Sequence, residues 1–206
     1  MNITKYDKTA RGINAPIYDY YAEKIKEKTG ITRGVCIDAG SSGGYLGLAL
    51  ARITELSFFF MDTSSEALER AKLHIIEDGL QQRARILVSN VHTIPLADGS
   101  IDLVISRGSI PFWKEPETAL KEIFRLLAPG GKAYVGGGKG SPEIRDLITV
   151  RRKEMGLPLP PEDGERRKGP PERMMRRNYD EIMERTGIFT FLIDKGDDGL
   201  WIQMWK

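Results

Sequence analysis

The chain has few of the residues from which disulfides and metal sites are built. Its 206 residues include one cysteine, Cys36, and two histidines, His74 and His92. A single cysteine cannot form an internal disulfide, and these three residues are too few for any common metal-binding pattern. We therefore expect no metal, and we predict that Cys36, which lies in an apolar run, packs in the core.

Long apolar runs and an excess of one charge are also missing. No apolar stretch approaches the length of about 20 residues that crosses a bilayer, and the N-terminal segment has no apolar signal-peptide core. We expect a cytoplasmic protein with no membrane partner. The chain carries 31 basic and 29 acidic residues, a net charge of +2, which argues against nonspecific nucleic-acid binding. Its length suits one α/β domain, 1–206.

Residues 35–51 read as a strand, a tight turn and a helix. The apolar run ends in Asp38, a loop of small residues follows, and an apolar helix begins near Leu46. Glycines at Gly40 and Gly44 allow a sharp turn and a close backbone approach to a ligand. Ligands of open α/β sheets bind at the carboxyl ends of strands, beside helix N-termini. This turn is therefore the expected site of a bound nucleotide.

A second acid, Asp62, follows the second predicted strand at 56–61. It lies about 20 residues after Gly40, where Rossmann-like folds place the carboxylate that accepts hydrogen bonds from a ribose. The feature predicts a ligand that contains adenosine, and NAD enzymes and methyltransferases share it. The alternative is that Asp62 serves only as a helix N-cap, although Thr63 and Ser64 are also candidates to cap the next helix.

The stretch after the third predicted strand, 84–89, is the most specific. It reads Asn90-Val91, then Ile94-Pro95-Leu96-Ala97-Asp98-Gly99-Ser100-Ile101-Asp102-Leu103-Val104. This resembles the L-P-F-x-D-G-S-F-D-L-V pattern of class I S-adenosylmethionine (SAM)-dependent methyltransferases, and in particular their small-molecule type 11 family. The first loop resembles the D-x-G-x-G-x-G motif of that class, with Ser42 in place of the middle glycine. The resemblance covers residues 33–137, the cofactor half.

The resemblance implies a Rossmann-like α/β fold. Its sheet would be doubly wound, seven-stranded and mostly parallel, with helices on both faces and a C-terminal antiparallel hairpin, here 188–193 and 200–205. It also implies SAM as cofactor and S-adenosylhomocysteine as product. The resemblance also implies which residues bind each part of the cofactor. The amino acid part would lie against Asp38, Ala39, Gly40, Ser41, Ser42, Gly44 and Tyr45. The ribose would contact Asp62 and Thr63, the adenine Asn90 and Val91, and the methionine end Ser106 and Arg107.

Methyl transfer from a sulfonium needs positioning more than a catalytic group, so no catalytic residue is demanded. Candidates near the methyl group are His92, Arg107 and Tyr20. Tyr20 lies on a predicted helix, 16–28, within an N-terminal segment, 1–30, that we interpret as a lid. The acceptor is expected to be a small molecule, since the fourth strand is not followed by the N/D-P-P-Y type motif of exocyclic-amine methylation in nucleic acids and some proteins.

The segment 156–178 is rich in proline, glycine and arginine, and predicts either a solvated loop or a substrate-side loop that binds an anionic acceptor. Two alternatives stay open: an RNA or protein methyltransferase that uses the basic stretch 166–177, and an inactive SAM-binding protein.

Short-chain dehydrogenases also have a similar glycine loop, but they need Tyr-x-x-x-Lys late in the domain. Here that spacing occurs with a plausible helix only at Tyr20 and Lys24. The sequence leaves monomer and homodimer open.

Overall fold

The computed structural model describes residue 7 and residues 9–159 and 177–206. Seven strands form one sheet in the order β3-β2-β1-β4-β5-β7-β6. The first five strands pair in parallel, and β7 runs antiparallel to both β5 and β6. The predicted mostly parallel sheet with its C-terminal hairpin is confirmed. The strands are β1 (Val35–Ala39), β2 (Ser57–Asp62), β3 (Ala84–Val88), β4 (Ile101–Arg107), β5 (Leu127–Gly137), β6 (Phe191–Gly196) and β7 (Gly199–Trp205).

α-Helices flank the strands, and several of them begin or end at residues that the sequence marks. Ser64 accepts a hydrogen bond from the amide of Ala67, and Ser141 from that of Ile144, as helix N-caps do. Gly30 ends the first helix in the left-handed conformation. The helices are α1 (Ala15–Thr29), α2 (Tyr45–Arg52), α3 (Ser65–Glu77), α4 (Pro116–Leu126), α5 (Pro142–Glu154) and α6 (Tyr179–Thr186).

The sheet is covered on both faces, so its central strands are apolar on both sides. Along β4, Leu103 and Ile105 join one apolar cluster, while Val104 between them joins the other. The first cluster packs against α1, α2, α3 and α5, and the second against α4 and α6. Cys36 is fully buried in the first, as predicted. Among the described residues, no helix has both the length and the apolar character needed to cross a bilayer.

Two strands differ from their predicted bounds. The apolar residues 133–135 alone predict a short fifth strand, but β5 begins at Leu127 because the Pro-Gly-Gly turn forms an irregularity within the strand. There Gly130 and Gly131 exchange hydrogen bonds with the backbone of Lys206. The hairpin was expected to pair 188–193 with 200–205 across a six-residue loop. Instead β6 continues to Gly196, which pairs with Gly199, and only two residues connect the strands.

The strand order reverses between β1 and β4, and both run in the same direction. In doubly wound sheets the crevice beyond the carboxyl ends of two such strands is where ligands bind. The residues that close these strands are Ala39, after Asp38, and Arg107. The topology therefore places the first loop and the end of β4 on two sides of one crevice.

Candidate active site

A cavity of about 650 Å³ opens at the carboxyl ends of β1 to β4. Its volume is in the range of cofactor and small-molecule sites. Most of the predicted cofactor residues lie on its wall, together with residues of α1, the start of α2 and the segment after β4. The predicted cofactor residues on the wall are Asp38, Gly40, Ser41, Ser42, Tyr45, Asp62, Thr63, Asn90, Val91 and Arg107, and the catalytic candidate His92 lies there too.

The loop after β1 is held against the end of β2. The amides of Gly40 and Ser41 both donate to the carbonyl of Met61, at 2.8 and 2.9 Å. Ser42 has a φ of +50°, in the region that favours glycine. This explains the glycine at the equivalent place of the family motif. Gly40 packs so closely on the end of β4 that a Cβ would lie 2.6 Å from that of Ser109.

Ser41 offers the cavity an unused polar atom. Its side chain is buried, and its Oγ has no hydrogen-bond partner among the described residues. Buried polar atoms are nearly always paired, so this hydroxyl fits a site that a polar ligand group completes. The start of α2 lies beside it, with Tyr45 and Leu46 on the cavity wall. Helix N-termini attract anionic groups, which suits the carboxylate of an amino acid moiety.

Asp38 is buried beneath this loop rather than fully open to it, with only 2% of its surface exposed. One carboxylate oxygen accepts a hydrogen bond of 2.9 Å from the amide of Gly47 in the first turn of α2. Burial raises the pKa of Asp38 to about 7, although the hydrogen bond from Gly47 opposes this shift. The carboxylate therefore supports the turn and still borders the cavity.

Asp62 closes β2 and joins the first loop to α3. Its Oδ2 accepts a hydrogen bond from the amide of Ser42 at 2.9 Å, and its Oδ1 accepts one from Ser64 at 3.0 Å. Each carboxylate oxygen has two acceptor positions, so both retain capacity toward the cavity. The expected N-cap alternative does not apply to Asp62, because Ser64 caps α3.

The loop after β3 is held by a side-chain relay. Asn90 accepts hydrogen bonds at Oδ1 from the amide of His92, at 3.1 Å, and from its ring Nδ1. The other ring nitrogen of His92 accepts the amide of Glu115 at 3.3 Å. An imidazole with these partners donates at Nδ1 and accepts at Nε2. His92 thus bridges the loop after β3 to the residues that precede α4.

Arg107 lies at the opposite side of the cavity, at the end of β4. Its Nη2 donates to the carbonyl of Gly138 at 2.7 Å. The guanidinium carbon lies 5.1 Å from the ring centre of Tyr18 and 5.2 Å from that of Tyr21, both on α1. Tyr18 also lines the cavity. α1 therefore contributes a wall to the site.

Tyr20, on the same helix, does not line the cavity, so its prediction as a catalytic candidate was wrong. Its hydroxyl donates to Asp198 at 2.9 Å, and Lys24 pairs with the same carboxylate at 2.6 Å. Burial and the hydrogen bond to Asp198 raise the pKa of Tyr20. The Tyr-x-x-x-Lys spacing thus anchors α1 to the β6–β7 turn, away from the cavity.

Three further predicted cofactor residues, Ala39, Gly44 and Ser106, support the wall without lining it. Ser106 is fully buried, and its hydroxyl donates to the carbonyl of Ala39 at 2.7 Å. Gly44 begins α2 with a φ of +81°. They shape the ends of β1 and β4 rather than face a ligand.

The sequence did not single out Lys114 and Glu115 as site residues, yet both line the cavity. They lie between the end of β4 and the proline that begins α4, and this position after a strand end is the sequence feature that could have indicated them. Phe112 and Trp113, just before them, also line the cavity. In the basic stretch 166–177, residues 166–176 lie outside the described residues. Its last member, Arg177, donates to the carbonyls of Trp113 and Lys114, so it supports this wall from behind.

Comparisons with known proteins agree with this geometry. The model of the family described as methyltransferase domain matches residues 37–135. The chain is 32% identical over 129 residues to the uncharacterised methyltransferase YdaC of Bacillus subtilis, covering 62% of this chain and 67% of that protein. It is 32% identical over 101 residues to the ubiquinone/menaquinone biosynthesis C-methyltransferase UbiE of Rickettsia prowazekii, covering 47% and 41%. The chain thus spans less than half of that quinone methyltransferase.

A solved structure extends the likeness to nearly the whole chain. The protein, from Methanococcus maripaludis, is described as belonging to the SAM-dependent methyltransferases. It superposes with a TM-score of 0.83 at 36% identity, covering 99% of this chain and 91% of its own. A SAM-dependent methyltransferase from Aquifex aeolicus, at 19% identity and a TM-score of 0.67, shares the fold. This chain belongs to the class I SAM-dependent methyltransferases.

Proposed function

We propose that this protein transfers the methyl group of SAM to a small-molecule acceptor. The observation that carries the proposal is the division of the cavity. Asp62, Asn90 and the 40–45 loop follow the strands on one side of the cavity, β1 to β3, while Arg107 ends β4 on the other, with Tyr18 against it. The relatives support a small acceptor, since one is named for quinone biosynthesis and another, at 31% identity, is a dimethylglycine N-methyltransferase.

The residues on the first side have the chemistry that each part of the cofactor needs. Asp62 retains acceptor capacity for ribose hydroxyls, and Ser41 and the start of α2 suit the amino acid part. Val91 presents an apolar surface and a backbone amide beside Asn90, which suits adenine. The side-chain oxygen of Asn90 already accepts hydrogen bonds from His92. We therefore assign Asn90 a role in positioning the loop, and its side-chain NH2 group remains free to contact the adenine base.

SAM supplies a methyl group on a positively charged sulfur, which needs no further activation for displacement. The protein must then align the acceptor and exclude water. Tyr18 of α1 covers the cavity from above the end of β4, and we propose that residues 1–30 act as its lid. His92 already accepts a hydrogen bond from Glu115 at Nε2, so we propose that it supports the loop rather than acting as a base.

The first test is calorimetric titration with SAM and S-adenosylhomocysteine, with NADH and NADPH as controls, on wild type and Asp62→Asn. The asparagine keeps one acceptor oxygen but loses the charge, and we expect it to weaken SAM binding at least about tenfold, the equivalent of about 1.4 kcal/mol. Asp19→Asn is the matched control, because Asp19 is an exposed partner of Arg52. Circular dichroism checks that each variant folds.

Transfer is tested separately by incubating the protein with SAM labelled at the methyl group and with quinones, amines and organic acids. Label recovered in a small molecule supports the proposal. SAM binding that Asp62→Asn leaves intact would contradict the assignment of the ribose site. Binding of NADH instead of SAM would remove the proposed function altogether.

A further inference from the structure

Arg107 brings a positive charge to the cavity and holds it in a fixed position. The hydrogen bond from Nη2 to the carbonyl of Gly138 fixes one edge of the guanidinium. The rings of Tyr18 and Tyr21 lie over its central carbon. Packing of this kind limits the rotamers of a long side chain, so the group is already ordered before a ligand arrives.

The charge has no partner of opposite sign in the part of the chain that the structure describes. None of the ion pairs formed there includes Arg107. Its buried Nε also has no hydrogen-bond partner among these residues. The two aromatic faces offset only part of the cost of a partly buried cation. A guanidinium with donors left over is the group that proteins use to bind planar anions at two oxygens.

Arg107 shares the cavity with aromatic side chains. Tyr18 packs against its guanidinium, and Phe112 and Trp113, from the segment after β4, line the same cavity. Phe112 leaves 59% of its surface exposed, which is unusual for a large apolar side chain at a cavity wall. Such a surface suits the apolar body of a ligand that reaches the cation in the same cavity.

We propose that the methyl acceptor is a carboxylic acid with an apolar body, whose carboxylate pairs with Arg107. This inference rests on the proposed function, and it names the acceptor class. The polar needs of the cofactor are met nearer β1 to β3, by Ser41, Asp62 and Asn90, so Arg107 is left for the acceptor. Lys114 and Glu115 also line the cavity, and together with Arg107 they bring a net charge of one cation to this wall, which favours a monoanion over a phosphate dianion.

The test uses protein saturated with S-adenosylhomocysteine and probes that differ only in charge. Benzoate, 3-phenylpropionate and hexanoate are each compared with the corresponding primary amide, and binding is followed by ligand-detected NMR and by the shift in melting temperature. In wild type we expect at least one acid to bind about tenfold or more tightly than its amide. Arg107→Gln should abolish this difference, and Arg107→Lys should keep part of it. Arg33→Gln, at an exposed pair with Glu55, is the control and should keep all of it.

The outcomes separate this inference from the proposed function. If S-adenosylhomocysteine does not bind wild type, the proposed function fails first. If it binds, but every acid behaves like its amide, the acceptor class is wrong while the cofactor site stands. If Arg107→Gln weakens S-adenosylhomocysteine tenfold and leaves the acid preference intact, Arg107 belongs to the cofactor and the inference is overturned.

Discussion

Asp38 should make the stability of the free protein depend on pH in an unusual direction. Its carboxyl is buried, and burial raises its pKa in the folded protein to about 7, from 3.8 in the unfolded chain. Between these values the folded state keeps a proton that the unfolded state releases. The free energy of unfolding contributed by this group is therefore fully present below pH 4 and falls as the pH rises to about 7.

The size of the effect follows from the pKa values. Each pKa unit between the folded and the unfolded state is worth about 1.4 kcal/mol, so the difference from 3.8 to about 7 amounts to about 4 kcal/mol. Between pH 5 and pH 8 about two units are crossed, and wild type should lose about 3 kcal/mol relative to a variant without this titration. Asp38→Asn is that variant, since its side-chain oxygen can still accept the amide of Gly47.

The assay is urea unfolding of wild type and Asp38→Asn at pH 5 and pH 8, followed by circular dichroism without cofactor. The free energy difference between the two proteins should shift by about 3 kcal/mol in favour of the variant at pH 8. Asp19→Asn, at an exposed ion pair, should show no such shift. A difference that stays constant between the two pH values would show that Asp38 is already ionised at pH 5, and the reasoning from burial would be refuted.

Three other substitutions test the framework of the site by urea unfolding. Ser42→Gly should raise the free energy of unfolding by about 0.5 kcal/mol, because relief of the left-handed backbone slightly exceeds the added chain entropy; a loss would contradict the strain. Gly47→Ala should cost about 1–3 kcal/mol, since its Cβ would lie 2.5 Å from the ring of Phe60; unchanged stability would show that the helix can shift. Lys24→Met should cost about 3 kcal/mol, because the buried carboxylate of Asp198 would keep the hydroxyl of Tyr20 but lose its cation; a neutral result would show that this carboxylate reaches water.

The sequence predicted the site best where position follows from topology alone. Asp38, Asp62 and Asn90 each follow an apolar run, and the ends of parallel strands meet at one edge of a sheet. Their shared location needed no knowledge of long-range contacts. Gly40 and Ser42 were found for a similar reason, because a short turn between a strand and a helix has few possible conformations.

The prediction failed where a contact between distant residues decides the outcome. Tyr18 and Tyr20 are nearly adjacent on α1, but a helix turns about 100° per residue, so they lie on different faces. Which face meets the cavity is fixed by Asp198, nearly 180 residues away, through its bonds to Tyr20 and Lys24. The place of Glu115 in the site depends in the same way on His92, from the loop after β3. No local pattern contains this information.

Residues 94–104, which carry the most specific resemblance, do not line the cavity but support the strands and loops around it. Residues 94–99 follow the loop after β3, and α4 holds them through Glu122 and Arg125. Glu122 accepts the amide of Ile94 at 2.6 Å, and Arg125 donates to the carbonyls of Ile94 and Leu96 at 3.1 and 3.0 Å. The hydrogen bonds from Arg125 lower the pKa of Glu122, so this carboxylate is charged throughout the neutral range.

The same segment ends where Asp102 of β4 accepts the amide of Val35 at 2.7 Å, which ties β4 to the start of β1. The side chain of Asp102 approaches so closely that a Cβ at Gly34 would lie 2.1 Å from its oxygen. Such contacts fix the height of β4 relative to β1, and through it the position of Arg107 relative to the first loop. The distance between the two sides of the cavity is therefore set in part by hydrogen bonds between side chains and backbone outside the cavity. This is why a pattern with few cavity-lining residues can mark the site so specifically.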